Sequence, residues 1–275
     1  MSQLTVKKIA FVGGGAMGEA FMQGMLNQGL VEPDQIMVGE PFEARRQDLA
    51  TRLGVGVTAS NPDAVAGAEI VILAVKPQVI GRVFESLSGQ VNASTMVLSI
   101  VAGTTIAAIR EALGTAAIVR VMPNTPGQIG EGISVWTATE ATQPEQQNDA
   151  AAILSALGQE IHVDDEHYLD MATALSGSGP AYVFLFIEAL TDAGVHMGFA
   201  RPVAEQLALQ TVKGAACYAQ ETGLHPAVLR NQVTSPGGTT AEALHQFEIG
   251  SFRAVVAQAV WAAYERAQAL GRTDE

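Results

Sequence analysis

A single cysteine, Cys217, stands in the whole sequence, so no intrachain disulfide can form. Nothing therefore points to an oxidising compartment. Cys217 lies in a small-residue helical stretch, Lys213 to Ala219, where a buried packing role is expected. Basic charge is scarce as well. Against 28 Asp and Glu there are 15 Lys and Arg, a formal net charge of −13, and no Lys/Arg run interrupts the acidic balance. Nucleic acid requires a basic face to offset phosphate charge, and an anionic membrane surface requires the same. Neither is expected as a partner. Long apolar runs are missing too. Outside the strand candidates the most apolar run, Ala181 to Ile187, is bounded by Pro180 and Glu188. It is far too short to span a bilayer. No signal-type apolar region opens the chain, and a cytoplasmic location is expected.

Aromatics are only 5% of the residues, whereas glycine, at 28, and small apolar side chains are plentiful. That composition suits tight βα turns and closely packed helices. With 48% hydrophobic residues in 275, the chain can bury a sizeable core in one or two domains. Up to about residue 163, short apolar runs alternate with amphipathic ones. The strand candidates are Ile9–Val12, Ile36–Val38, Ile70–Val75, Met96–Ile100 and Ile118–Val121. Continuous Val/Ile/Leu runs of this length fit parallel strands buried on both faces. Helical patterns over Met17–Gln28, Phe42–Leu53, Gln78–Leu87 and Ile106–Leu113 fill the gaps. Two weaker strands, Ile133–Trp136 and Glu160–Val163, flank a helix near Glu145–Leu157 and extend the sheet.

This alternation predicts an α/β fold, with a doubly wound Rossmann sheet over residues 1–164. The triplet Asp164-Asp165-Glu166 reads as the first turn of the next helix, where negative charge suits the dipole. Strand signals then vanish. Residues 165–275 are expected to form an all-helical domain. Ala215, Ala216, Ala219, Ala254, Ala257, Ala259, Ala262 and Ala263 permit close helix–helix approach there.

The sharpest motif is Gly13-Gly14-Gly15-Ala16-Met17-Gly18, directly after the strand Ile9–Val12 and at the start of a helix. In such a turn the first glycine bends the chain and the second admits the pyrophosphate. The third brings helix and strand together, while the helix N-terminus offers amides to the phosphates. Framed this way, the motif predicts a nicotinamide dinucleotide site. Glu40, at the end of the second strand, can accept hydrogen bonds from the adenosine ribose, which favours NADH over NADPH. Arg45 and Arg46 follow within a turn and can swing toward a 2′-phosphate or simply line a solvated helix face. The preference stays open, with a slight lean to NADH. Ala74-Val75-Lys76-Pro77 follows its strand at the carboxyl end of the sheet, where ligands bind in open α/β folds. By location Lys76 is a catalytic candidate, a phosphate contact or a structural lysine.

In the helical half, Thr234-Ser235-Pro236-Gly237-Gly238-Thr239-Thr240 cannot continue a helix until Thr239 and Thr240 open a new one. Glycines ahead of a helix N-terminus leave amides free for an anion. The segment reads as a small-carboxylate pocket or as an ordinary interhelical turn. Ser176-Gly177-Ser178-Gly179-Pro180-Ala181 breaks the chain ahead of the most apolar helix, with Pro180 suited to a first helical turn. The five histidines show no paired metal-ligand spacing, and no metal is expected. Glu188, Asp192 and His196 share a helix face that reads as solvated or interfacial.

Taken with Arg120-Val121-Met122-Pro123-Asn124-Thr125-Pro126, these pieces resemble the pyrroline-5-carboxylate reductase family, in family order from residue 8 to about 270. The resemblance implies reduction of 1-pyrroline-5-carboxylate to L-proline with NADPH or NADH. It implies that Ser235, Gly237, Gly238 and Thr239 hold the substrate carboxylate and that Thr240 acts catalytically near the ring nitrogen. It further implies a homodimer joined through the helical domains, sometimes assembled into a larger ring. Glu40 departs from the Ser or Thr of NADP-preferring members. Two rival readings differ in class. A β-hydroxyacid dehydrogenase would require a catalytic lysine in the second domain, where Lys213 stands alone and unframed by glycines. A catalytically silent NAD-binding protein would leave the Ser235–Thr240 loop without a purpose.

Overall fold

The computed structural model describes Leu4, Val6 and residues 8–271. The chain alternates strand and helix through β1 (Ile9–Val12), α1 (Ala16–Asn27), β2 (Ile36–Gly39), α2 (Glu43–Leu53), β3 (Gly56–Thr58), α3 (Asn61–Val65), β4 (Ile70–Leu73), α4 (Ile80–Leu87), β5 (Met96–Ser99), α5 (Ile106–Leu113) and β6 (Ile118–Met122). Then follow β7 (Gly132–Ala138), α6 (Pro144–Ser155), β8 (Gly158–His162) and α7 (His167–Ala172). The strands form one sheet in the order β3-β2-β1-β4-β5-β6-β7-β8. All neighbours are parallel except β6 and β7.

Each central strand feeds two cores. Successive strand residues point to opposite faces of a sheet. Ile9, Phe11, Val38, Ile70, Ile72 and Leu98 accordingly join the helices α1, α2 and α6 in one apolar cluster. Ala10, Val12, Val71, Leu73 and Val97 join α4 and α5 in the other. Burying each such Val, Leu, Ile or Phe side chain contributes about 1.5–3 kcal/mol, which is why these strands read as unbroken apolar runs. The chain direction reverses at β7 for a simple reason. Only the short segment with the 3₁₀ turn Thr125–Ile129 joins β6 to β7, whereas a parallel connection needs a dozen or more residues. From β7 to β8 the crossover helix α6 is present, and the pair is parallel again.

The acidic triplet stands at the start of α7 as expected, with Glu166 as its N-cap. Asp165 receives the His167 backbone N–H at 2.8 Å, so it serves the start of α7. Glu166 turns away from its own helix. Its Oε1 accepts the Arg120 guanidinium at 2.6 Å and the Ile106 N–H at the start of α5 at 2.8 Å. Arg120, 6% exposed in the middle of β6, also faces Asp170 at 3.6 Å. A buried arginine without its carboxylate costs about 3–5 kcal/mol, and this pair fastens α7 to the sheet. The first compact unit runs Met1–Ser178 and takes back Ala263–Glu275, and the second is Gly179–Ala262. The boundary expected after residue 164 lies before the end of this first unit. The Tyr264 hydroxyl and His167 Nε2, 2.9 Å apart, belong to the same first unit.

Where the glycine-rich segment 176–181 suggested a break, the first unit ends instead in a π-helical turn, Thr173–Gly177. It closes with the Ser178 N–H on the Thr173 carbonyl at 2.8 Å.

The second unit consists of α8 (Gly179–Met197), α9 (Arg201–Thr222), α10 (Pro226–Gln232), α11 (Thr239–Ile249) and the greater part of α12 (Phe252–Gly271). α8 and α9 meet closely at Gly194, where a Cβ would lie 3.0 Å from the Ala204 Cβ. The alanines expected to mediate such contacts, Ala215, Ala216, Ala254, Ala257, Ala259 and Ala262, are instead exposed in the single chain. Cys217, expected to be buried, is exposed with them. So are Phe184 at 63%, Leu185 at 67% and Trp261 at 62%. Apolar surface on this scale in one unit marks an interaction face.

Candidate active site

In open α/β sheets the ligand crevice opens where strand order reverses, outside the carboxyl ends of the strands. Here that point lies between β1 and β4. A cleft of about 700 Å³ is found there, lined by Gly13, Gly15, Glu40, Phe42, Arg45 and Lys76 among others.

Each glycine of the β1–α1 turn has its own physical reason. Gly13 sits at φ +101°, and a Cβ there would lie 2.7 Å from the Ala74 carbonyl oxygen. Only glycine meets both conditions. A Cβ on Gly18 would lie 2.6 Å from the Gly13 carbonyl oxygen, so α1 can approach β1 only without a side chain. Gly15 is different. It has an ordinary φ of −68° as the N-cap of α1, with nothing within 4 Å of its missing Cβ. The open space over Gly15 and the first orphan amides of α1 form a cradle for a pyrophosphate. The residues therefore fit the group the motif implies. Ala16 and Met17 are the first residues of α1, Ala16 exposed and Met17 packed against the sheet core.

Glu40 is buried at 6% exposure, deeper than a ribose contact alone would demand. Its Oε2 accepts the Gly14 N–H at 3.0 Å and its Oε1 accepts the Phe42 N–H at 3.1 Å. The carboxylate thus braces the glycine turn from the end of β2. A carboxylate offers about four acceptor positions, so capacity for further donors is left.

Neither following arginine lies free. Arg45 Nε donates to the Gly14 carbonyl at 2.7 Å, its Nη1 to Asp48 at 2.6 Å and its Nη2 to Glu19. Arg46 Nη1 donates to the carbonyls of Glu40 and Pro41, each at 2.8 Å. Burial pushes the Glu19 carboxyl up, but the hydrogen bonds and charges of Arg45 and Arg52 outweigh it and hold it below its usual range. The Arg52 hydrogen bond likewise holds Asp48 low.

β4 stops at Leu73, two residues before the expected end, and Ala74 and Val75 line the cleft. Lys76 is exposed at the cleft rim as the N-cap of the 3₁₀ turn Pro77–Val79, so Pro77 shapes the turn without lining the cleft. Phe42, Asn61, Val79, Arg82 and Ser86 also line it and were not singled out from sequence. All follow the carboxyl ends of β2, β3 or β4, which is the one signal that would have found them. Phe42 presents its ring 73% exposed.

In the second unit, α10 ends with the Thr234 hydroxyl on the Arg230 carbonyl at 2.6 Å. Ser235–Gly238 then form a turn, with the Gly238 N–H on the Ser235 carbonyl at 3.0 Å and Gly237 at φ +68°. A Cβ on Gly238 would lie 2.3 Å from Ser235 Oγ. α11 starts at Thr239 from Gly238 as N-cap, with no side-chain cap, leaving its first amides to a ligand. Ser235, Gly237 and Thr239 are exposed while Gly238 and Thr240 are half-buried. The five residues expected to bind substrate thus share one turn. Elsewhere in this unit a groove of about 670 Å³ is lined almost wholly by apolar side chains, among them Phe186, Leu190, Phe252 and Val256.

Comparison with known proteins places both units. Residues 166–270 match the family described as pyrroline-5-carboxylate reductase dimerisation. Residues 8–103 match the NADP oxidoreductase coenzyme F420-dependent family. The chain is 43% identical over 265 residues to the pyrroline-5-carboxylate reductase of Synechocystis, covering 96% of this chain and 98% of that protein. Among solved structures, a pyrroline-5-carboxylate reductase from Coxiella burnetii aligns with a TM-score of 0.90 at 38% identity, covering 97% of this chain and 99% of that one. The Plasmodium falciparum pyrroline carboxylate reductase, with NADP bound, aligns with a TM-score of 0.88 at 32% identity, covering 98% and 99%.

Proposed function

This chain belongs to the pyrroline-5-carboxylate reductase family, and we infer that it reduces 1-pyrroline-5-carboxylate to L-proline, the last step of proline biosynthesis, with hydride from a nicotinamide dinucleotide. One observation carries the reading. A dinucleotide cleft with an open glycine cradle shares one chain with an uncapped helix N-terminus behind a Ser-Pro-Gly-Gly-Thr-Thr turn. The rival dehydrogenase reading lacks its framed lysine, and the silent-protein reading leaves this turn unused.

The bound dinucleotide supplies the hydride. The rest of the task falls to the chain. A protonated cyclic imine is already electrophilic at carbon, so no strong general acid is needed and alignment dominates. Proximity and orientation can be worth roughly 7–11 kcal/mol. We propose that the amides at Gly237, Gly238 and Thr239, with the Ser235 hydroxyl, hold the substrate carboxylate, and that the Thr240 hydroxyl orients the imine nitrogen. Gly13, Gly15, Ala16 and Met17 hold the pyrophosphate on a turn that Gly18 keeps close to β1, Ala74, Val75 and Lys76 flank the cofactor from a turn that Pro77 shapes, and Phe42 covers its adenosine end.

The chain is a homo-oligomer through its dimerisation region. By length and composition alone, the helical run His167–Met197 could also cross a bilayer. We propose that its apolar side chains meet a second copy and no membrane, because the dimerisation match covers them and the exposed faces of α9 and α12 alike.

For the cofactor we propose a preference for NADH. Glu40 can accept both ribose hydroxyls while its charge repels a 2′-phosphate. Glu40→Ser removes that repulsion but also a brace of the glycine turn, so Glu40→Gln, which keeps the shape, is the companion variant. In both, the ratio of kcat/KM for NADPH to that for NADH is expected to rise about tenfold or more, the equivalent of about 1.4 kcal/mol. An unchanged ratio in both variants removes Glu40 from cofactor selection. The reaction itself is tested by 340 nm absorbance. NADH loss is expected with pyrroline-5-carboxylate, and no reverse reduction of NAD⁺ with 2-hydroxy- or 3-hydroxyacids.

A further inference from the structure

We propose that Glu19 and Asp48 are positioning residues for cofactor selection: they tie down the Arg45 guanidinium and cancel its charge at the adenosine end of the cleft. The inference rests on the reading that the adenosine ribose lies beside Glu40. Arg45 lies on the first turn of α2 and lines the same cleft as Glu40. An arginine so placed is well suited to a 2′-phosphate, since its guanidinium can grip phosphate with two parallel hydrogen bonds.

Here three of the five guanidinium N–H donors are engaged elsewhere. Each of the three guanidinium nitrogens already donates, to Gly14, Asp48 and Glu19. Arg52 closes the network from the far end of α2. Its Nη2 reaches Glu19 Oε1 at 2.5 Å and its Nε reaches Asp48 Oδ1 at 2.7 Å. Two arginines and two carboxylates sum to zero charge. Arg46 is held by the backbone carbonyls of Glu40 and Pro41. Among the cleft-lining residues of α2, then, Arg45 is the one cation and its charge is balanced within the network, while Arg46 keeps its charge but does not line the cleft.

The Arg52–Asp48 pair, 46% and 41% exposed, contributes little by itself. Arg45 and Glu19 are more buried, at 27% and 24% exposure. The position of the network has an electrostatic consequence. Removing one carboxylate leaves the cluster at +1 and frees part of the Arg45 fork. Removing Arg52, which does not line the cleft, leaves the cluster at −1. The two changes must move cofactor selection in opposite directions, and a merely mechanical fastening has no such sign.

The test is equilibrium titration of NADH and NADPH, by quenching of protein fluorescence, on the full-length protein and on Glu19→Gln, Asp48→Asn and Arg52→Met. Thermal melts run alongside. The ratio of the two dissociation constants cancels any effect on the shared pyrophosphate. Glu19→Gln and Asp48→Asn are expected to shift the ratio about five- to tenfold toward NADPH, and Arg52→Met a few-fold toward NADH. In Glu19→Gln/Arg45→Met the shift should disappear. Ratios within twofold of the parent in all three single variants overturn the proposal, and so do shifts of one sign. A parent enzyme that prefers NADPH would instead count against the Glu40 reading, while the variant shifts would still decide this one.

Discussion

Replacing Thr240 with alanine is expected to lower kcat for pyrroline-5-carboxylate about 10²-fold, while the dissociation constant for the dinucleotide stays within twofold. The magnitude follows from the chemistry. With the carbon already electrophilic, most of the barrier reduction comes from holding the imine in line with the hydride donor. Loss of one pre-organised hydrogen-bonding group in such sites costs about 10²–10³ in rate. Thr240 is the second residue of α11, half-buried beside the uncapped amides. Alanine is a better helix former than threonine, so unfolding of α11 does not explain a loss. Thr240→Ser restores the hydroxyl and should recover most of the rate. Steady-state kinetics with saturating cofactor read the effect, and unaltered kinetics in Thr240→Ala would remove the residue from the mechanism.

The second large effect is expected at Gly18, in the glycine turn of the first unit. An alanine Cβ would stand 2.6 Å from the Gly13 carbonyl oxygen, a backbone atom that cannot swing aside. Either α1 lifts off β1 or the turn deforms. Overpacking of this kind costs about 1–3 kcal/mol, and it displaces the amides that receive the pyrophosphate. Gly18→Ala should therefore lower Tm and weaken dinucleotide binding by about 10²-fold or more. Gly15→Ala separates the two consequences. Its φ of −68° accepts alanine and nothing lies within 4 Å of the new methyl. Its Tm should match the parent, while the methyl intrudes on the phosphate space and weakens binding. If Gly15→Ala binds NADH as well as the parent does, the pyrophosphate does not lie over that glycine.

Local steric demands leave a trace in a sequence, and distant partners do not. The β1–α1 turn was legible because steric demands at Gly13 and Gly18 are local and leave a fixed spacing. The helical segments of the second unit were legible because Gly and Pro punctuate them. β3 and α3 were not, since a three-residue strand and a five-residue helix carry too few residues for a periodicity. The antiparallel sense of β7 lay in the length of a connection, not in its apolar pattern. The start of α7 was legible at Asp165 and Glu166, whereas the partners of Glu166, Arg120 and Ile106, lie 46 and 60 residues away and were not. Arg45 read as free for the same reason, with Glu19 lying 26 residues before it. Cys217 and the alanines of α9 and α12 read as core because sequence does not distinguish a core within one chain from one completed by a second. The Ser235–Thr240 turn could be read as an anion site but gained a substrate only through the family resemblance.

The central claim is that hydride carried at the glycine cradle ends on a small cyclic imino acid. Its most direct test measures both ends of the transfer in one reaction, NADH consumed at 340 nm and L-proline formed, from pyrroline-5-carboxylate and purified enzyme. One mole of L-proline per mole of NADH oxidised is the predicted result. Cofactor oxidation without L-proline, or no oxidation with either NADH or NADPH, would contradict it.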